Sequence, residues 1–172
     1  MAVQMIFCVE TNKKANTDSI YITETINRFY EQTNKISRKF IYLGSKSKYN
    51  DKETIKQIAS WTKDFTIGET KVVYFIDTDM YERNPEHKKQ FDDIKVFCDA
   101  NDYGFVWFCH DVEEVYLGRT IEDSKKVSEA GNFRKKKMIS AMTISNLSSD
   151  VIRKNASNIL NVLDEHFERK KG

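Results

Sequence analysis

Proline occurs once in the 172 residues, at Pro85, glycine six times and cysteine three times. So little turn-forming punctuation excludes an all-β sandwich or a disordered linker protein and favours helices with short strands. No apolar run approaches the roughly 20 residues that a membrane-spanning helix needs. Met1 to Val9 is a strand-like stretch without a basic start or a small-residue cleavage site, so a cytoplasmic protein with no membrane association is expected. Cys8, Cys98 and Cys109 are far apart, each inside an apolar segment, which predicts reduced buried thiols rather than disulfides or a zinc site. There is no Gly-x-x-x-x-Gly-Lys loop, no Gly-x-Gly-x-x-Gly and no Gly-x-Ser-x-Gly. Nucleotide binding by a glycine-rich turn and serine-hydrolase chemistry are therefore unsupported.

The hydrophobic residues alternate between two periods. Gln4–Val9, Phe40–Leu43, Lys71–Ile76 and Phe105–Cys109 are short, nearly continuous apolar runs and read as strands buried on both faces. Between them Ile22, Ile26, Phe29 and Tyr30, then Ile55, Ile58, Ala59 and Phe65, then Phe91, Ile94, Phe97 and Cys98 recur at helical spacing. Thr17 or Asp18, Asp51, and Asn84 before Pro85 are expected N-caps, and Asn101 to Gly104 a tight turn. This βαβαβαβ order predicts an α/β fold, a mainly parallel four-stranded sheet flanked by helices. Residues 1–117 form that core, and 118–172 are expected to be a basic helical extension packed on it. Within the extension, Ser124–Ala130 is a short polar helix candidate and Asn132–Lys137 a basic loop or helix start. Ser148 or Ser149 is expected to cap a long helix whose stripe is Ile152, Ala156, Ile159, Leu160, Leu163 and Phe167.

Strand ends carry the chemistry. The first strand runs into Glu10, the third into Asp77-Thr78-Asp79, and the fourth into His110-Asp111 with Glu113 and Glu114 close behind. In a parallel sheet these ends share one edge, where ligands bind. Five or six carboxylates on one rim repel one another unless a cation or a proton sits among them. Mg²⁺, held by one or two carboxylates, waters and substrate phosphate, suits an Asp-x-Asp there, with Mn²⁺ as a substitute. Asp111 has a simpler role as a helix cap, and His110 can position water or phosphate.

Three stretches together resemble a known family. They are Ile6-Phe7-Cys8-Val9-Glu10 followed by Lys14, Thr17, Asp18 and Tyr21; Tyr74-Phe75-Ile76-Asp77-Thr78-Asp79; and Glu114-Val115-Tyr116-Leu117. In order and spacing they resemble the toprim domain, and within it the RloB-like family of restriction- and abortive-infection-linked proteins. Thr11 stands where that family usually has glycine. The resemblance implies a toprim/Rossmann-like fold, Mg²⁺ on Asp77 and Asp79, Glu10 as general acid or base, and Glu114 as a further ligand or metal-orienting group. It implies a nuclease acting on DNA or RNA in prokaryotic antiviral defence, with a partner ATPase.

Charge read by region agrees with a phosphate-rich partner. Residues 71–114 are net −6, while 1–70 are net +3 and 115–172 net +5. The run Arg134, Lys135, Lys136, Lys137 is the place where phosphates could be held. Two other readings remain at this level: a non-catalytic binding or regulatory module that keeps the fold, and a nucleotide-sugar transferase using Asp-x-Asp for its metal.

Overall fold

The computed structural model describes residues 1–172. Four strands, β1 (Ala2–Val9), β2 (Ile36–Tyr42), β3 (Gly68–Asp77) and β4 (Gly104–Phe108), form one all-parallel sheet in the order β2-β1-β3-β4. Each crossover carries a helix: α1 (Thr17–Phe29), α2 (Lys52–Asp64) and α3 (Pro85–Ala100). Because β2 lies on one side of β1 and β3 on the other, the strand order reverses between β1 and β3. Val9 pairs with both Tyr42 and Phe75, and Asp77 with Phe108, so the strands end nearly level at one rim.

Alternation along the strands sorts side chains onto two faces. Met5, Phe7 and Val9 of β1 and Val73 and Phe75 of β3 pack with Tyr21, Ile22 and Ile26 of α1. Ile6, Cys8, Val72, Tyr74 and Ile76 pack with Ile58 of α2 and with Phe91, Ile94 and Cys98 of α3. The three cysteines are free and buried. Asp51 accepts from the Thr54 amide, and Asn84 accepts from Glu86 and His87 just ahead of Pro85, as the capping pattern predicts. No helix is long and apolar enough to cross a membrane.

Several local expectations fail for identifiable reasons. In α2 the buried stripe is Thr54 and Ile58 with Trp61 half-buried, whereas Ile55 and Ala59 face solvent; the edge strand β2 offers α2 only a narrow apolar strip. In α1 neither Thr17 nor Asp18 caps the helix. Asn16, in a left-handed conformation, is the N-cap, and Asp18 Oδ2 instead accepts from the Thr11 amide at 3.2 Å.

The C-terminal segment differs most. After α4 (Val112–Leu117), helix α5 runs from Lys126 to Lys135, so the basic residues expected in a loop or helix start belong to its last turn and the exposed residues just after it. Cations there favour the negative end of the helix dipole. The long helix expected from Ser148 is absent. Only α6 (Ile144–Leu147) and α7 (Ile159–Leu163) form, separated by an irregular stretch of bends and a turn. That stretch covers the open edge of β4: Phe108 bridges Ser157, Cys109 N–H donates to the Ala156 carbonyl, and the Asn158 side chain bonds both Trp107 N–H and the Phe105 carbonyl. An uncovered edge strand leaves its backbone groups unpaired, and satisfying β4 outweighs continuing a helix. Ala156, Ile159, Leu160, Leu163 and Phe167 are buried all the same.

Ala130, Phe133, Ile139, Leu147, Ile159, Leu160 and Leu163 share one hydrophobic cluster with β1 and α1, so the extension covers the face opposite α2 and α3. Phe133 is fully buried against Tyr21 and Tyr116, with centroids 4.9 and 5.6 Å away. Phe133→Ala is expected to cost about 3–5 kcal/mol in a single cooperative urea transition. Loss of an early C-terminal phase, with the sheet unfolding later at the wild-type midpoint, would show two independent cores instead.

Candidate functional site

The strand reversal between β1 and β3 opens a cleft of about 340 Å³, lined by ten residues, none hydrophobic. Its wall includes Glu10, Thr11, Asp18, Lys46, Asp77, Glu113 and Lys126. A larger cavity of about 470 Å³ lies around Lys71, Tyr103, Gly104 and Asn158. It reaches the starts of β3 and β4, away from the carboxyl ends of the strands where the acids gather, so we place the candidate site in the carboxylate cleft.

Each side chain arrives by a separate structural route. Glu10 follows the last residue of β1, and its Oε2 accepts from Asp77 N–H at 2.5 Å, which ties the end of β1 to the end of β3. Asp77 has the strand parity of Val73 and Phe75 and so turns to the α1 face, where Asp18 sits in the first turn. Its carboxylate has no ion pair, although Lys46 Nζ bonds its backbone carbonyl at 2.7 Å. Asp79, in a left-handed conformation, receives Lys46 Nζ at 2.6 Å, and the same ammonium is 3.5 Å from Glu10 Oε1. Glu113 is almost fully buried and pairs with Lys126 Nζ at 3.2 Å, while Asp111 caps α4 and lies 3.4 Å from the same ammonium.

Burial sets the protonation of these acids. Burial lifts Glu10 to about 7 against the lowering pull of Lys46. It lifts Asp18 to about 6, partly offset by the Thr11 amide, and Glu113 to about 7, offset by Lys126. Asp77 is raised well above the usual range by burial, then by the charges of Glu10, Asp18 and Asp111. Burial pulls Lys46 and Lys126 down, but the carboxylates around them outweigh it and hold both above the ordinary lysine value.

The predicted residues are only partly brought together. Glu10, Asp77 and Asp79 meet at the rim through Lys46. Glu114 does not face the cleft: it binds His110 Nδ1 at 2.8 Å through Oε2 and the Thr120 hydroxyl at 2.8 Å through Oε1, and Glu113 takes the inward position. A helix turn separates adjacent positions by about 100°, so only one of the two glutamates can point in. His110 is held between Glu114 and Glu82 rather than free to meet a phosphate. Arg134 to Lys137 are exposed at the far end of α5, about 12 Å along the helix from Lys126.

Three participants escaped the sequence reading. Lys46 follows the end of β2, so the shared-edge rule that picked out Glu10 and Asp77 would have found it. In sequence Asp18 has the look of a helix cap, as Thr17 does, whereas burial makes it a wall of the cleft. Nothing in the sequence brings Lys126 to this rim; the packing of α5 on α1 does so.

The donor chemistry suits a hard divalent cation. The groups are carboxylate and hydroxyl oxygens, and Thr11 Oγ1, buried near Asp18, makes no hydrogen bond. No three of these carboxylates bring ligand atoms within 4.8 Å of one another. No family model, curated protein or solved structure matches the chain.

A carboxyl raised by burial holds its proton in the folded chain over a range where the unfolded chain has lost it. Stability from such a group is full below the unfolded value and lost as pH rises through the folded one. For Glu113 that window runs from 4.5 to about 7. In metal-free buffer the wild-type chain should therefore lose stability between about pH 5 and about pH 8, and Glu113→Gln should remove roughly 2 kcal/mol of that loss. Thermal melts at the two pH values check this; an unchanged slope in the variant would place the sensitivity elsewhere.

Proposed function

We propose that the protein is a Mg²⁺-dependent, toprim-like phosphodiester hydrolase acting on DNA or RNA. The supporting observation is the unpaired Asp77 carboxylate, set at the reversal of a parallel sheet in an all-polar cleft beside Glu10, Asp18 and Asp79. Repulsion among these groups is relieved by a divalent cation more fully than by Lys46 alone. Asp77 and Asp79 are the residues that hold Mg²⁺ in this reading. Bound there, the ion supplies positive charge against the phosphoryl oxygens and a more acidic water.

The chain's own groups then have distinct tasks. Glu10 is fixed through Oε2 by the Asp77 amide, which leaves Oε1 to take a proton from the attacking oxygen or give one to the leaving oxygen. Lys46 Nζ, at 2.6 Å from Asp79, moves from the carboxylate to a phosphoryl oxygen when substrate enters. Lys126, 3.2 Å from Glu113, favours the charged form of that buried carboxyl. Arg134 to Lys137 bind the phosphate backbone beyond the cut site. The toprim resemblance adds a cytoplasmic, defence-linked setting and a partner ATPase to this proposal.

A second reading has one observation in its favour: the Lys46 ammonium already bridges Glu10 and Asp79, as in a binding module that needs no ion. Two measurements separate the readings. Hydrolysis of plasmid DNA and of RNA with Mg²⁺ or Mn²⁺ should fall at least about 100-fold in Asp77→Asn, Asp79→Asn and Glu10→Gln. Mn²⁺ should raise the melting temperature of the wild-type chain and not that of Asp77→Asn. Equal hydrolysis in all three variants, or no metal-dependent stabilisation, sinks the hydrolase reading. In a separate check, neutralising Arg134 to Lys137 should weaken nucleic-acid binding and flatten its salt dependence.

A further inference from the structure

We propose that Glu82, Cys109 and His110 form a second metal site, for a thiophilic divalent ion of the Zn²⁺ class, with Glu114 positioning the histidine. Spacing along the chain argues against zinc held by paired cysteines. Tertiary structure assembles a mixed donor set instead. One carboxylate oxygen, one thiol sulfur and one imidazole nitrogen lie within 4.8 Å of one another. Ligand edges around a tetrahedral Zn²⁺ are about 3.5 Å, and Glu82 Oε1 already stands 3.0 Å from His110 Nε2, so small rotations that bring in the Cys109 thiol close the set. A thiolate selects against Mg²⁺ and for Zn²⁺, Co²⁺ or a similar ion. This site is therefore chemically distinct from the all-oxygen cleft.

The surroundings are those of a metal-ligating histidine. His110 Nδ1 meets Glu114 Oε2 at 2.8 Å, and Nε2 faces Glu82 Oε1 at 3.0 Å. A carboxylate on Nδ1 fixes the tautomer and leaves Nε2 as the metal donor, the usual carboxylate–histidine–metal arrangement. Glu114 is itself held by the Thr120 hydroxyl at 2.8 Å. The backbone is fixed too: His110 N–H donates to Thr78 Oγ1 at 2.9 Å, and Asp79 N–H donates to the His110 carbonyl at 2.8 Å. An ion here joins the turn after β3, through Glu82, to the end of β4. Three protein ligands leave one tetrahedral position for water. Binding releases the Cys109 thiol proton to solvent, so affinity rises with pH.

The test uses the full chain, stripped of metal, in Mg²⁺-free buffer. Calorimetric titration with Zn²⁺ should include one equivalent that depends on Cys109, separate from any oxygen-donor binding in the cleft, and Co²⁺ should give a thiolate charge-transfer band with tetrahedral d–d absorption. Cys109→Ala and Glu82→Gln should each weaken Zn²⁺ binding at least tenfold and alter the cobalt spectrum. Glu114→Gln should weaken it about 10- to 100-fold with the thiolate band retained, as expected of a positioning residue. Asp77→Asn should keep the Cys109-dependent Zn²⁺ equivalent and the thiolate band. Should Cys109→Ala fail to fold, the solvent-facing Glu82→Gln carries the test. Absence of the thiolate band overturns the proposal, as does Zn²⁺ binding that survives Cys109→Ala and Glu82→Gln but is lost in Asp77→Asn. Either result leaves the Mg²⁺ reading of the cleft to its own measurements.

Discussion

The hydrogen bond from the Asp77 amide to the Glu10 carboxylate joins the ends of the two central strands at the point where the strand order reverses. Every crossover after β1 lands on one side of that point or the other, so the rim opens there and nowhere else. A charged acceptor on a backbone donor is among the stronger hydrogen bonds available, and this one holds Glu10 in a place from which burial would otherwise expel a carboxylate. The same geometry concentrates negative charge. Asp18 and Glu113 are drawn in by the packing of α1 and α4, and Lys46 and Lys126 offset them only in part.

The two lysines show how the rim tolerates its charge. Lys46 comes from the short turn after β2 and reaches across to Glu10 and Asp79. Lys126 opens α5, whose Ala130 and Phe133 are seated in the core against α1. The covering segment and the candidate site thus depend on one packing arrangement. Phe133, tilted against Tyr21 and edge-on to Tyr116, fixes the helix axis, and that axis sets where Lys126 meets Glu113. A shift of α5 by one turn would remove the cation and leave a buried glutamate without a partner, which is costly.

Strand content and the parallel sheet were legible because apolar runs of Val, Ile and Phe have one stable solution there, burial on both faces. Glu10 and Asp77 were legible for the same reason: parallel strands must end at a common edge. Residues 148–167 were misread because their apolar spacing fits a helix, whereas the competing demand, unpaired backbone at the edge of β4, comes from a strand more than forty residues earlier. Glu113 and Glu114 could not be told apart, since a single turn of helix decides which faces inward and the sequence does not state its phase relative to the sheet. Asp18 is legible only as a cap or as part of the family pattern and Thr11 only as a departure from it, and nothing in the sequence marks Lys126.

By itself the sequence determined the α/β class, the buried reduced cysteines and a rim of carboxylates at the strand ends, because these follow from local periodicity and from the geometry common to all parallel sheets. Tertiary structure alone decided which acids share the cleft, which lysines neutralise them, and that Cys109 and His110 meet Glu82. Those pairings depend on helix phase and on contacts between distant segments. No pattern within a single stretch of chain encodes them.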